Sequence, residues 1–115
     1  MEKFPLIING FATKTSDTFE VKNPSTGEVV GYAPKANLDQ LDYAVKAAGE
    51  AFKTWSVTSD EKRAEACHAI AAAIEENAED LARLLTQEQG KPLNGLGSRF
   101  ELGGASAWAH YTADL

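Results

Sequence analysis

A single cysteine, Cys67, stands in a chain of 115 residues. One thiol cannot close an internal disulfide, so neither a cross-linked scaffold nor an oxidising compartment is implied. Long hydrophobic runs are also missing. No apolar stretch approaches the roughly 20 residues that span a bilayer. The opening MEKFPLIING holds an apolar run too short for a signal peptide, and Gly10 interrupts it. Basic residues are outnumbered, with 11 Lys and Arg against 17 Asp and Glu, for a net charge of −6. That balance argues against the electrostatic footprint of a nucleic-acid or anionic-membrane binder. No long block of like charge is present either, which argues against a disordered acidic tail. The expectation is a cytoplasmic domain with no nucleic-acid or membrane partner.

What is present suits one small core. A hydrophobic share of 43% and a charged share of 24% are ordinary for a globular protein, and the length provides for one core rather than two. Residues 1–36 read as strand and turn. LIIN (6–9) is a short β-branched run closed by Gly10, and TFEVKN (18–23) alternates, with Phe19 and Val21 on one face. NPSTGE (23–28) is dense in turn-forming residues, and EVVGYA (28–33) reads as the returning strand. This predicts a β-hairpin with LIIN beside it, too small to be stable alone.

At Asn37 the period changes from two to 3.6. Asn37 with Gln40 has the spacing of a capping box, and Leu41, Ala44, Val45, Ala48, Phe52 and Trp55 form one stripe. Thr58 and Glu61 repeat the box before a second helix, whose stripe runs through Cys67, Ile70, Ala71, Ile74, Ala78, Leu81, Ala82 and Leu85. The short SVT link makes the two an antiparallel pair. Gly90 suits the residue after the second helix, and Pro92 the first turn of a third. Leu93, Leu96, Phe100, Gly104, Trp108 and Tyr111 keep a helical period there. Gly95, Gly97, Gly103 and Gly104 would each cost about 1 kcal/mol relative to Ala inside a helix, so this helix expects a close neighbour. The fold class so read is α+β, mainly helical: one segment, 1–115, with a β-hairpin region at 1–36 and three helices over 37–113.

No constellation of reactive groups emerges. Cys67 lies on an apolar stripe, where free cysteine acts as a small hydrophobe. A nucleophile would need a base or an electropositive setting, and His68 points to a different face. His68 and His110 are distant in sequence, with no Cys or carboxylate at zinc-ligand spacing. No G-x-G-x-x-G follows a strand, and neither a phosphate loop nor G-x-S-x-G occurs. GLG (95–97) lies inside a helical pattern. Glu75, Glu76, Glu79 and Asp80 read as the solvated face of the second helix.

Three stretches together nevertheless resemble the N-terminal part of the aldehyde dehydrogenase superfamily: LIING, FEVKNPSTGEVVGYAP (19–34) and LLTQEQGKPL (84–93). Between them, LDYAVKAAGEAFKTWS resembles the family's first helix and DEKRAEACHAIAAAIEENAEDLARLL its second. The combination of NPSTGE with T-x-E-x-G-K-P is the specific part. The resemblance implies oxidation of an aldehyde to an acid with NAD or NADP. A cysteine thiolate attacks the aldehyde carbon, hydride passes to the nicotinamide, and a glutamate activates water. It also implies that the family's Pro-Trp-Asn region, Rossmann strands and catalytic cysteine lie beyond the point matching Leu115. The chain is then expected to be the N-terminal portion of a longer, homo-oligomeric enzyme, with the remainder of that enzyme as its partner. It would hold no catalytic or cofactor-binding residue and bind no NAD or NADP by itself.

The family sets its general base in a Glu-Leu-Gly-Gly motif, usually followed by Lys and preceded by a strand. Here ELGG (101–104) falls eight residues after Leu93, inside the third helix, with Ala105 next. Glu101 is therefore assigned to the helix and not to catalysis. Many members of the family also hold a structural monovalent cation, using a carbonyl near the hairpin and an acidic residue before Gly-Lys-Pro. Val21 and Glu88 match those positions, and hard cations favour oxygen ligands. The family's third ligand lies beyond this chain, so the site would be incomplete here. Two other readings stand beside this one: a self-standing helical interaction module, and a small-ligand binding domain.

Overall fold

A computed structural model describes residues 4–115. Eight elements follow in order: β1 (Leu6–Ile8), β2 (Phe11–Thr13), β3 (Asp17–Lys22), β4 (Val29–Lys35), α1 (Leu38–Trp55), α2 (Asp60–Glu76), α3 (Ala78–Gln89) and α4 (Ser98–Asp114). They divide into two compact units. Among the described residues, the first comprises 4–22 with Gly27–Val57; the second comprises Asn23–Thr26 with Thr58–Leu115.

In the first unit, LIIN does not lie beside the 18–33 hairpin as a third strand. It forms its own antiparallel pair, with Ile8 opposite Phe11 and Leu6 opposite Thr13. Asn9 at φ 53° and Gly10 at φ 79° supply the reason. Two left-handed residues in succession make the tight turn whose twist matches that of paired strands, and Asn-Gly is the sequence best suited to it. β3 and β4 pair separately, and the register slips between Val21, opposite Gly31, and Lys22, opposite Val29. Val30 is thereby left over, as in a β-bulge. Of Phe19 and Val21, read as sharing one face, Phe19 is 53% exposed and Val21 half-buried.

The capping box at α1 forms as read. The Gln40 amide N–H donates to Asn37 Oδ1 (2.8 Å), and the Asn37 N–H donates to Gln40 Oε1 (3.1 Å). Gln40 Nε2 also donates to the Lys14 carbonyl at 2.9 Å, which ties the start of α1 to the link between β2 and β3. α1 buries no residue, and Leu41, Val45, Phe52 and Trp55 all stay largely exposed.

In the second unit, the segment read as one helix is two. Asn77 interrupts it at φ −106°, ψ 10°, with its side-chain amide donating to the Ala73 carbonyl at 2.9 Å. This is the local competition by which asparagine ends helices. The cap before α2 is Ser59, accepting from the Lys62 N–H, and not Thr58. The helix expected from Pro92 begins six residues later, at Ser98. Residues 91–97 form a loop in which Gly95 has φ 66°, so only Gly103 and Gly104 lie inside α4.

Packing in this unit is built from small side chains. Ala71, Ala82 and Ser98 are fully buried and Ser106 nearly so. α4 packs on α2 and α3 through Ser98 and Ser106, with Leu102, Ala109 and Ala113 half-buried. Such residues let helix axes approach closely, which the aromatic stripe would prevent. The aromatic face, for which the sequence expects a neighbour, is uncovered in this chain: Phe100, Trp108 and Tyr111 are each more than half exposed. On the other expected stripe Cys67 is half-buried and Ile70 exposed.

Candidate functional site

The polar chemistry of the second unit lies where α2 and α4 meet. On α2, His68 and Glu75 are two turns apart, and on α4, Ser106 and His110 are one turn apart. Each pair therefore shares a helix face. When the helices pack, the four residues join. The Ser106 hydroxyl donates to Glu75 Oε1, the same oxygen lies 3.3 Å from His110 Nε2, and His110 Nδ1 lies 2.8 Å from His68 Nδ1. His68 Nε2 faces Asp114 at 3.8 Å. The hydrogen bond from Ser106, followed by that from His110, holds the Glu75 carboxyl below its usual range. Sequence spacing between the two histidines hides this cluster. The matched spacings within each helix were its only available signal.

Ser106 beside a carboxylate has the outline of a nucleophile and base. Its residue is only 4% exposed, so the hydroxyl cannot present itself to a substrate carbon. The pair ties two helices together.

A second group spans α3 and α4. Arg99 donates through Nε and Nη2 to Glu79 at 2.9 and 2.7 Å, and also pairs with Asn94 Oδ1. Arg83 bonds the same Glu79 at 2.6 Å. Arg99 first, then Arg83, hold the Glu79 carboxyl down at about 2. Two of the four carboxylates read as a solvated face, Glu75 and Glu79, are thus engaged between helices.

The loop between α3 and α4 carries the G-K-P stretch. Gly90, at φ 71°, closes α3 with its N–H bonded to the Thr86 carbonyl. The Ser98 and Arg99 N–H groups donate to the carbonyls of Pro92 (2.9 Å) and Leu93 (3.2 Å), and Ser98 Oγ bonds Thr86 Oγ1 at 2.8 Å. Gly97 has no room for a side chain: a Cβ there would lie 1.9 Å from the Pro92 carbonyl oxygen. The glycine of GLG is occupied by its own loop. The first donors of α4 are spoken for as well, so the elements of a dinucleotide phosphate cradle do not fit here.

Glu101 sits in the first turn of α4, paired with Lys91. Val21 lies in β3 of the first unit, at the register slip. Glu88 lies near the end of α3 in the second unit, exposed. Among the described residues, no group of three or more His, Cys, Asp or Glu side chains could hold a metal ion, and no helix is long and apolar enough to cross a membrane. Two apolar hollows open on the surface of the second unit. One of about 510 Å³ is lined by Ile70, Ile74, Leu81 and Leu84. The other, about 420 Å³, is lined by Gly104, Ala107, Trp108 and Tyr111.

The sequence model of the aldehyde dehydrogenase family matches residues 11–115. The chain is 40% identical over 112 residues to a Pseudomonas sp protein described as "Probable aldehyde dehydrogenase", covering 97% of this chain and 22% of that protein. It is 45% identical over 82 residues to malonate-semialdehyde dehydrogenase 1 of Geobacillus thermodenitrificans, covering 71% of this chain and 17% of the relative. The crystal structure of NAD-dependent aldehyde dehydrogenase from Sinorhizobium meliloti matches with a TM-score of 0.91 at 29% identity, covering 98% of this chain and 23% of that one. The chain spans about a fifth of the length of the curated relatives it matches.

Proposed function

The chain belongs to the aldehyde dehydrogenase family, and on that premise we propose that it forms the N-terminal portion of an NAD(P)-dependent enzyme that oxidises an aldehyde to a carboxylic acid. The observation that carries the reading is the match of nearly the whole chain to about a fifth of its relatives. In such an enzyme NAD or NADP accepts the hydride, and residues outside this chain supply its site, the thiolate and the base. The part of this chain is structural. Its uncovered apolar faces, on α1 and on the Phe100–Trp108–Tyr111 side of α4, are of the kind that a larger enzyme core covers.

The parent enzyme is proposed to be a homo-oligomer. The Val21 carbonyl and the Glu88 carboxylate are proposed as two ligands of a structural monovalent cation whose remaining ligands come from the rest of the enzyme. Both are hard oxygen donors, as such a cation requires.

The test is complementation. The purified chain is mixed with an aldehyde dehydrogenase lacking the region that corresponds to residues 11–115, and aldehyde-dependent reduction of NAD or NADP is followed. Turnover by the mixture and by neither component alone is the expected result. A folded, monomeric chain that fails to join its complement would overturn the reading in favour of a self-standing module.

A further inference from the structure

His68 and His110 meet across the α2–α4 contact with their Nδ1 atoms 2.8 Å apart and their ring centroids 5.0 Å apart. The two separations differ by about two ring radii, so the nitrogens point at one another along nearly one line. That is the geometry of an N–H···N hydrogen bond, which needs one Nδ1 protonated and the other bare. Two imidazoles on one metal ion would instead converge on a point about 2.0–2.1 Å from each nitrogen. Head-on nitrogens 2.8 Å apart leave no such point.

The outer nitrogens both face carboxylates. His110 Nε2 lies 3.3 Å from Glu75, and His68 Nε2 lies 3.8 Å from Asp114. On α2, Glu65 stands one turn before His68. α3, the other helix packed on α4, commits its Glu79 to Arg99 and Arg83. The buried Ser106 hydroxyl donates to Glu75, which keeps that group an ionised acceptor for the His110 ring.

We propose that the His68–His110 pair is a proton-operated clasp that fastens the C-terminal turns of α4 to α2 and opens when both rings are charged. The protons can be placed atom by atom. With both rings neutral, His110 carries its hydrogen on Nε2, toward Glu75, and accepts through Nδ1 the hydrogen of His68 Nδ1. A first added proton goes to His68 Nε2, opposite Asp114, and the inner bond survives. A second can go only to His110 Nδ1. Two N–H groups on two cations then face each other, and the rings must part.

What opens is the segment that carries Trp108 and Tyr111, packed edge to face with centroids 6.0 Å apart. These two residues line the 420 Å³ apolar hollow. Acid therefore acts on this apolar surface through two histidines that do not line it.

The experiment uses the ¹⁵N-labelled chain, following the scalar coupling between the two Nδ1 nuclei and the amide exchange of residues 107–114 through an acid titration. The coupling is expected at neutral pH and after the first protonation, and is expected to vanish at the second. Exchange of the 107–114 amides should rise at that same step by about fivefold, the opening expected from one lost hydrogen bond. His68→Asn keeps a hydrogen-bonding group near the Nδ1 position but removes the second charge, so the acid step in exchange should disappear while helix content is retained. Should that variant unfold, the coupling in the unsubstituted chain decides. Absence of coupling at neutral pH, or histidine titrations that ignore one another, overturns the clasp. A saturable Zn²⁺ site abolished by His68→Asn would equally overturn it, since the pair would then be ligands.

Discussion

The Cβ that Gly97 lacks would lie 1.9 Å from the carbonyl oxygen of Pro92, the same oxygen that accepts the Ser98 N–H. The loop between α3 and α4 closes on itself through this contact, and the obstacle to a side chain is backbone, which cannot swing aside. Gly97→Ala should therefore destabilise the chain by about 2 kcal/mol, in the range of other overpacking changes. Gly103→Ala is the contrast. It lies inside α4 with nothing within 4 Å of the added methyl, so it should stabilise by about 1 kcal/mol. Urea unfolding, read as midpoints at unchanged slope, distinguishes the two signs.

Acid should weaken the α3–α4 contact through Glu79. Its folded value, about 2, lies below the ordinary 4.5 because Arg99 and Arg83 favour the carboxylate. A depressed carboxyl contributes stability that is full above the unfolded value and is lost as pH falls from about 4.5 through about 2. Arg99→Met should move the Glu79 titration up toward its ordinary value and flatten this part of the acid-stability curve. Carboxyl-carbon NMR titration reads the first effect, and denaturant midpoints against pH read the second. An unmoved Glu79 titration would show that the pairing seen here is not maintained in solution.

The isolated chain should self-associate. Leu41, Val45 and Phe52 on α1, and Phe100, Trp108 and Tyr111 on α4, are more than half exposed. Burial of apolar surface is worth about 25 cal/mol per Å², so covering a few such side chains repays a substantial part of a small domain's stability. Sedimentation equilibrium across a wide concentration range should show a rising mass. Trp108→Glu should shift that rise to higher concentration if the α4 face takes part. A monodisperse monomer at high concentration would contradict the prediction.

Titration of the chain with NAD and with NADP should reveal no saturable site. Gly97 is filled by its own loop, and the Ser98 and Arg99 N–H groups already have acceptors. Calorimetry on the purified chain checks this, and micromolar binding of either dinucleotide would count against it.

The features legible from sequence are those settled by neighbours in the chain. The Asn37–Gln40 box and the Gly90 cap depend on residues three or four positions apart, and both form as read. The Asn9–Gly10 turn was equally local, and its signal lay in the dipeptide itself. The Asn77 break is harder to see, because the apolar stripe continues in phase through Ala78, Leu81 and Leu85. The residues through which α4 meets α2 and α3 are hidden for a different reason. Periodicity selects bulky apolar residues, whereas these helices meet through Ala71, Ala82, Ser98 and Ser106. The histidine cluster depended on tertiary packing, its two rings standing 42 positions apart in sequence.

Gly90 is also hemmed in from the side: a Cβ there would come within 2.8 Å of Pro24 Cγ and 3.1 Å of Ser25 Oγ. The turn Asn23–Thr26 therefore belongs with the helices, although its flanking strands belong to the other unit. During synthesis from the N-terminus, the turn emerges well before the helical segment against which it rests. β3 and β4 can pair early, but their turn waits for its support until α3 has ended at Gly90. That seat is distant in sequence, and such long-range closures cost more chain entropy than local ones. A chain interrupted before Gly90 would leave the Pro24 surface without its seat, whatever the state of the strands on either side.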